Sequence, residues 1–121
     1  MITWNNLDTL TSFKELENVE RVDLVKAMAG ENGAERVKNY SVPMAEGLTY
    51  NYAAKQVDDK VLAALAKLAD EAQLTEKFEA LYNGEVINTG EKRLVLHHMT
   101  RGQLGEAVEA DGVDKRTFYT E

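Results

Sequence analysis

The side chains of this chain that could do acid–base or metal chemistry are two adjacent histidines and several paired carboxylates. His97 and His98 are the two histidines of the sequence, which contains no cysteine. Neighbouring residues of a helix or strand point in different directions. Since a zinc site needs three or four converging ligands, we expect no metal site, with one imidazole packed and the other solvated. The missing thiols also exclude a cysteine nucleophile.

The carboxylate pairs could support general acid–base catalysis if two of them converged in a cleft. They are Asp58 with Asp59, Asp70 with Glu71, and Glu106 with Glu109. Helix caps and solvated helix faces explain these pairs more simply, because exposure is the usual fate of Asp and Glu. A run of tyrosines, Tyr40, Tyr50 and Tyr52, could stack on bases or sugars. With little basic charge nearby, the run favours packing within a sheet.

The stretch from Tyr82 to Arg101 mixes apolar residues with amides, carboxylates and basic groups in a region without a clear helical or strand period. Such a mixture is typical of a buried polar network that holds a loop in place, with Glu91 paired to Arg93 or Arg101. A second interpretation is that Arg93, His97 or Arg101 faces an anionic substrate. We call the following five the polar motif residues: Asn88, Glu91, Arg93, His97 and Arg101.

The charge balance restricts the classes of partner. The chain has 121 residues, with 21 Asp and Glu against 14 Lys and Arg, and a formal net charge of −7. We expect no nucleic-acid partner, since binding to a phosphate backbone relies on Lys and Arg. No apolar run approaches the roughly 20 residues that span a bilayer, and the first residues lack the features of a leader peptide. The prediction is one globular unit, residues 1–121, in the cytoplasm and without a membrane partner.

Periodicity and capping signals predict a mostly α fold class with one small β-hairpin. Ser12 and Glu15 match a capping box, and Gly30 and Gly84 suit the ends of helices. Alternating residues on both sides of a turn at 45–47 predict the hairpin. The predicted helices lie near 12–18, 21–29, 58–72 and 75–83, with a further turn near 34–38. The hairpin lies near 40–52, and residues 87–113 are expected to be mostly irregular.

The stretch that holds the polar motif resembles a segment of the glucose-6-phosphate isomerase family. That family carries the pattern aromatic-x-Gly-Glu-x-Ile-Asn, a short gap, Glu-x-Arg-x-Val-Leu-His, and an arginine after three further residues. The matching positions are Tyr82, Gly84, Glu85, Ile87, Asn88, Glu91, Arg93, Val95, Leu96, His97 and Arg101. The sequence departs from the family pattern at Ala53, Ala54, Gly90, Thr100 and Gly102, which suggests a divergent branch. Residues 1–40 carry little resemblance beyond an early helical pattern.

This resemblance implies an aldose–ketose isomerase that interconverts glucose 6-phosphate and fructose 6-phosphate in glycolysis and gluconeogenesis, without a cofactor. It implies that the chain is the amino-terminal fragment of a longer, homodimeric α/β enzyme of the three-layer, sugar-isomerase type. The family's phosphate-binding loops, base glutamate and assisting cations have no matching positions before Glu121. No catalytic or substrate-binding residue is therefore assigned, and the fragment alone is expected to be inactive. The polar motif residues are expected to support the floor of the site.

Two other functions stay open from the sequence. The chain could be a self-standing acidic interaction module whose amphipathic stripe, Val61, Leu65, Leu68 and Ala72, binds a partner helix. Such a stripe more often packs within its own protein. The chain could also be a sugar-phosphate-binding regulator that keeps the family scaffold without catalysis. Coding sequence that continues beyond Glu121 would favour the isomerase fragment over the interaction module.

Overall fold

The computed structural model of the protein describes residues 1–101 and 105–119. The chain divides into two compact units, where the sequence predicted one. The central unit is Thr11–Leu68, and the terminal unit combines Met1–Leu10 with Ala69–Glu121. The described residues form mostly helices with three two-stranded hairpins, which confirms the predicted fold class and adds two hairpins to it. In this part of the chain, no helix is long and apolar enough to cross a membrane.

The central unit is built from helices and one short antiparallel hairpin. Its elements are α1 (Thr11–Glu17), α2 (Leu24–Ala27), α3 (Gly30–Asn39), β1 (Ser41–Pro43), β2 (Thr49–Asn51) and most of α4 (Asp59–Glu71). Val42 of β1 lies opposite Tyr50 of β2, and a 3-10 turn at Ala45–Gly47 joins the two strands. Pro43, which cannot donate a ladder hydrogen bond, is the last residue of β1.

The helices before the hairpin differ from the prediction in their lengths. The helix expected over 21–29 is limited to the four residues of α2, and the turn expected near 34–38 is the full helix α3. α3 begins at Gly30, which was expected to end a helix. Gly33 then lies so close to the Met28 carbonyl that no Cβ would fit between them. Apolar periodicity does not reveal such a close approach of backbones, which depends on a missing side chain.

Arg36 of α3 holds the loop between β2 and α4. Its Nε donates to the Ala53 carbonyl at 2.7 Å, and its Nη2 donates to the carbonyls of Lys55 and Val57 at 2.9 and 2.6 Å. The guanidinium also lies over the Tyr40 ring, with Cζ 4.4 Å from the ring centroid. One side chain therefore donates to three carbonyl groups of this loop, of which the Lys55 carbonyl also accepts from the Val57 amide.

The terminal unit contains α5 (Leu74–Tyr82), two hairpins and short helical segments. β3 (Val86–Asn88) pairs with β4 (Arg93–Leu94), and β5 (Glu109–Ala110) pairs with β6 (Val113–Asp114). The 3-10 turns Leu7–Thr9 and His97–Arg101 and the short helix α6 (Lys115–Phe118) complete it. Residues 87–113, expected to be mostly irregular, therefore include two hairpins. Strands of two or three residues are too short to show a detectable alternation of apolar and polar residues, so the sequence did not predict them.

The buried apolar side chains are mostly small. In the terminal unit they are Leu10, Ala72, Ala80, Met99 and Val108, and in the central unit they are Ala53 and Ala64. Met99 is completely buried, at 0% exposure, and it anchors the 3-10 turn His97–Arg101. On α4, the predicted stripe is half-buried at Val61 and Leu68 and 40% exposed at Leu65.

Helix α5 ends in a Schellman motif at Gly84. The Glu85 amide donates to the Ala80 carbonyl at 2.9 Å, and the Gly84 amide donates to the Leu81 carbonyl at 3.1 Å. Gly84 has a φ of 74°, a left-handed conformation that glycine adopts without strain. A Cβ at this position would also collide with the side chain of Val108. Two independent constraints therefore require glycine at this position.

Replacing Gly84 by alanine is expected to lower the free energy of unfolding by about 2 to 3 kcal/mol, through backbone strain and overlap with Val108. Gly112→Ala is the matched control, because Gly112 has a φ of 75° and nothing lies within 4 Å of an added Cβ. The control should cost only about 1 kcal/mol. Denaturant unfolding followed by the fluorescence of Trp4, the single tryptophan, measures both variants. Equal costs would contradict the collision with Val108.

Candidate functional site

Three of the polar motif residues meet at the β3–β4 hairpin. Asn88 ends β3, Glu91 lies in the turn and Arg93 begins β4. Asn88 Nδ2 donates to Glu91 Oε2 at 3.3 Å, and Asn88 Oδ1 accepts from the Glu91 amide at 3.2 Å. The same carboxylate oxygen lies 3.8 Å from Arg93 Nη1. Of the two arginines predicted as partners of Glu91, the structure therefore pairs it with Arg93.

The other two polar motif residues, His97 and Arg101, lie at the two ends of the 3-10 turn anchored by Met99. The Thr100 hydroxyl donates to the carbonyl of His97 at 2.9 Å. An open depression at the surface is lined by His97, His98, Thr100 and Arg101. A second depression shares two of these residues and is lined by Leu94, Leu96, His97, Thr100 and Tyr119.

All five polar motif residues are exposed, so the predicted burial of these residues was wrong, although the predicted contact between Glu91 and Arg93 is present. The side chains of Arg93 and Glu91 are 74% and 64% exposed, which limits their ion pair to about 0 to 1 kcal/mol. β3 and β4 form a sheet of only two strands, so their polar side chains stay at its surface. In this chain the motif presents its donors and acceptors outward.

A buried polar centre lies elsewhere in the terminal unit, around Arg116. This residue is 5% exposed. Its Nε donates to the Glu106 carbonyl, its Nη2 donates to the Tyr82 carbonyl, and its Cζ lies 4.9 Å from the centroid of the Tyr82 ring. Because a guanidinium stays charged in proteins, these bonds to carbonyl oxygens compensate for its removal from water. No sequence signal marked Arg116, since its partner Tyr82 is 34 positions away.

His98 packs on the same tyrosine. The ring centroids of His98 and Tyr82 are 5.1 Å apart with planes at 28°, and His98 Nε2 lies 3.2 Å from the Tyr82 carbonyl oxygen. Since a carbonyl only accepts, this hydrogen bond assigns the hydrogen to Nε2. His98 is half-buried and His97 is exposed, which confirms the prediction of one packed and one solvated imidazole. Tyr82 thus joins the end of α5 to the 3-10 turn and to Arg116.

Asp114 positions the backbone on both sides of Arg116. Its Oδ1 accepts from the amides of Val108 and Arg116, each at 3.1 Å, and its Oδ2 accepts from the Thr117 hydroxyl at 2.6 Å. The hydrogen bond from Thr117, supported by the backbone amides and opposed by burial, lowers the pKa of the Asp114 carboxyl. A carboxylate with a lowered folded-state pKa stabilises the fold above its unfolded pKa and loses that contribution as pH falls. Asp114 therefore caps α6 in its ionised form.

The carboxylate pairs occupy helix caps and exposed positions. Asp58 accepts a hydrogen bond from the Val61 amide at 2.9 Å at the start of α4, and Asp59 accepts from the Tyr40 hydroxyl at 3.1 Å. Burial, reinforced by the hydrogen bond to Asp59, raises the pKa of the Tyr40 hydroxyl. The other two pairs are exposed. Within residues 1–101 and 105–119, no group of three or more His, Asp or Glu side chains could hold a metal ion.

The three tyrosines near the β1–β2 hairpin stack on one another. The ring centroids of Tyr40 and Tyr52 are 5.2 Å apart, and those of Tyr50 and Tyr52 are 6.1 Å apart. Arg36 covers the Tyr40 ring. The ring faces of these tyrosines therefore contact one another and Arg36, which favours a role in packing over stacking on a ligand.

Comparisons with known proteins give one consistent family. A sequence model of the family described as phosphoglucose isomerase matches residues 51–119. A glucose-6-phosphate isomerase of Treponema denticola is 53% identical over 121 residues, which cover 96% of this chain and 23% of the relative. Glucose-6-phosphate isomerases of Treponema pallidum and Borreliella burgdorferi are 42% and 39% identical over 98% of this chain, which corresponds to 23% and 22% of their lengths.

The matched parts of the chain include both groups of residues described above. Residues 51–119 contain all five polar motif residues and the centre formed by Tyr82, His98 and Arg116. The expectation that residues 1–40 carry little resemblance is corrected, because the Treponema denticola relative aligns with 96% of the chain. The chain spans less than a quarter of the length of these curated relatives.

Proposed function

Because the chain belongs to the phosphoglucose isomerase family, we propose that it forms part of a glucose-6-phosphate isomerase acting in glycolysis and gluconeogenesis. Such an enzyme interconverts glucose 6-phosphate and fructose 6-phosphate. The observation that carries the proposal is the match of the family model to residues 51–119. The 53% identity to the Treponema denticola isomerase over nearly the whole chain supports it.

In this proposal the chain contributes the scaffold and other segments of the enzyme contribute the reacting groups. Moving a proton between two sugar carbons through an enediol needs a carboxylate base and a cation that stabilises the developing negative charge. The family resemblance assigns those groups to segments without matching positions here. In keeping with this, the guanidinium groups of Arg36 and Arg116 are occupied by backbone carbonyls. The enzyme would act as a cytoplasmic homodimer on a sugar phosphate.

A chimera tests the proposal. In the Treponema denticola isomerase, the aligned segment is replaced by this chain, and formation of glucose 6-phosphate from fructose 6-phosphate is followed with glucose-6-phosphate dehydrogenase and NADP. We expect turnover by the chimera and none by the chain alone. The parent isomerase is the positive control, and the parent with the aligned segment deleted is the negative control.

Two results would count against the proposal. A chimera that folds with the helical content of the parent enzyme but does not isomerise fructose 6-phosphate would contradict the assigned function. Isomerisation by the chain alone would show that the reacting groups lie within it, contrary to the scaffold role.

A further inference from the structure

The segment 92–101 has a charge opposite to that of the chain around it. It contains three Lys or Arg residues, two His residues and no Asp or Glu, in a chain whose formal net charge is −7. His97, Thr100 and Arg101 lie together on the exposed side of the 3-10 turn and line one depression. We call these three residues the cationic face.

The two basic side chains of the cationic face lack polar partners among the described residues. Among the described residues, neither the His97 ring nor the Arg101 guanidinium makes a hydrogen bond or ion pair. Glu91, which the sequence offered as a partner of Arg101, pairs with Arg93 instead. The fold itself therefore does not account for a charged side chain at position 101.

Apolar side chains border the cationic face. His97 and Thr100 also line the second depression together with Leu94, Leu96 and Tyr119. Tyr119 is 41% exposed, and the neighbouring Phe118 is 58% exposed. A cation beside half-buried aliphatic and exposed aromatic groups is the composition of a protein–protein contact, where apolar area is buried around a charged anchor.

We propose that the cationic face docks a carboxylate-bearing segment of the same isomerase that lies outside these 121 residues, with the Arg101 guanidinium binding the carboxylate. This inference rests on the proposed function, because the relatives are more than four times as long as the part that this chain matches. The planar fork of arginine binds a carboxylate through two parallel hydrogen bonds. The apolar side chains beside the cationic face favour a protein segment over a sugar phosphate. The polar hydroxyl groups of a sugar phosphate would not pack against these apolar side chains.

The test compares one substitution in two settings. Arg101→Gln is made in the chain alone and in the Treponema denticola chimera. Lys92→Gln is the matched control, since it removes another exposed charge of the segment 92–101 that lies outside the cationic face. Arg101→Gln should lower the melting temperature of the chimera by about 2 °C or more and leave that of the chain alone unchanged. Lys92→Gln should change neither. Arg101→Lys, which keeps the charge but not the fork, should give an intermediate melting temperature in the chimera.

Other outcomes separate the alternatives. A raised KM for fructose 6-phosphate at an unchanged melting temperature would assign Arg101 to the substrate and overturn the docking proposal. An equal loss of stability in the chain alone, or no effect in either setting, would also overturn it. If the unsubstituted chimera folds but is inactive while Arg101→Gln still lowers its melting temperature, the proposed function fails and the docking contact stands.

Discussion

Replacing Arg116 by alanine is expected to lower the free energy of unfolding by about 4 kcal/mol, the largest loss for any single substitution considered for this chain. The substitution removes two hydrogen bonds from a charged donor, to the carbonyl oxygens of Glu106 and Tyr82, and it removes the cation from the face of the Tyr82 ring. A hydrogen bond from a charged group contributes about 1.5 to 3 kcal/mol, so the two bonds account for most of the expected loss, although His98 Nε2 still donates to the Tyr82 carbonyl. Urea unfolding followed by Trp4 fluorescence measures the loss, because Trp4 belongs to the same unit as Arg116.

Arg93→Ala is the control for this prediction, because it makes the same chemical change at a side chain that is 74% exposed. Its cost should stay below about 1 kcal/mol, the range for exposed ion pairs. If both substitutions destabilised the chain equally, the central role of the buried guanidinium would be refuted.

Arg36→Ala is expected to lower the free energy of unfolding of the central unit by about 3 kcal/mol. The carbonyls of Ala53, Lys55 and Val57 lose a shared donor, and the partial exposure of this site allows water to replace some of the bonds. Hydrogen exchange of individual amides localises the effect. Protection should fall in β1 and β2, which precede the released loop.

Lys38→Ala provides the comparison for Arg36, because Lys38 is an exposed basic residue of the same helix, α3. It should leave amide exchange in β1 and β2 unchanged, since no hydrogen bond of the Lys38 side chain to the loop exists among the described residues. Faster exchange in both variants would mean that helix propensity, and not the contact with the loop, controls the hairpin.

Signals that act over a few residues were recoverable from the sequence. Asp58 marks the start of α4 because a carboxylate before a helix accepts from free amides, and Gly84 marks the end of α5 because a left-handed residue closes a helix. The β1–β2 hairpin was detectable because its strands and turn show period-two alternation around a glycine. The two later hairpins were not, because their strands of two or three residues carry too little pattern.

The sequence by itself determined the family, through the spacing of the polar motif, and the mostly helical character, through capping and periodicity. Only the tertiary structure decided which polar residues are buried. It placed the polar motif residues at the surface and buried Arg116 against Tyr82 instead. The physical reason is that a guanidinium can bind the carbonyl of any residue type, at any distance along the chain, so such a contact leaves no pattern in the sequence.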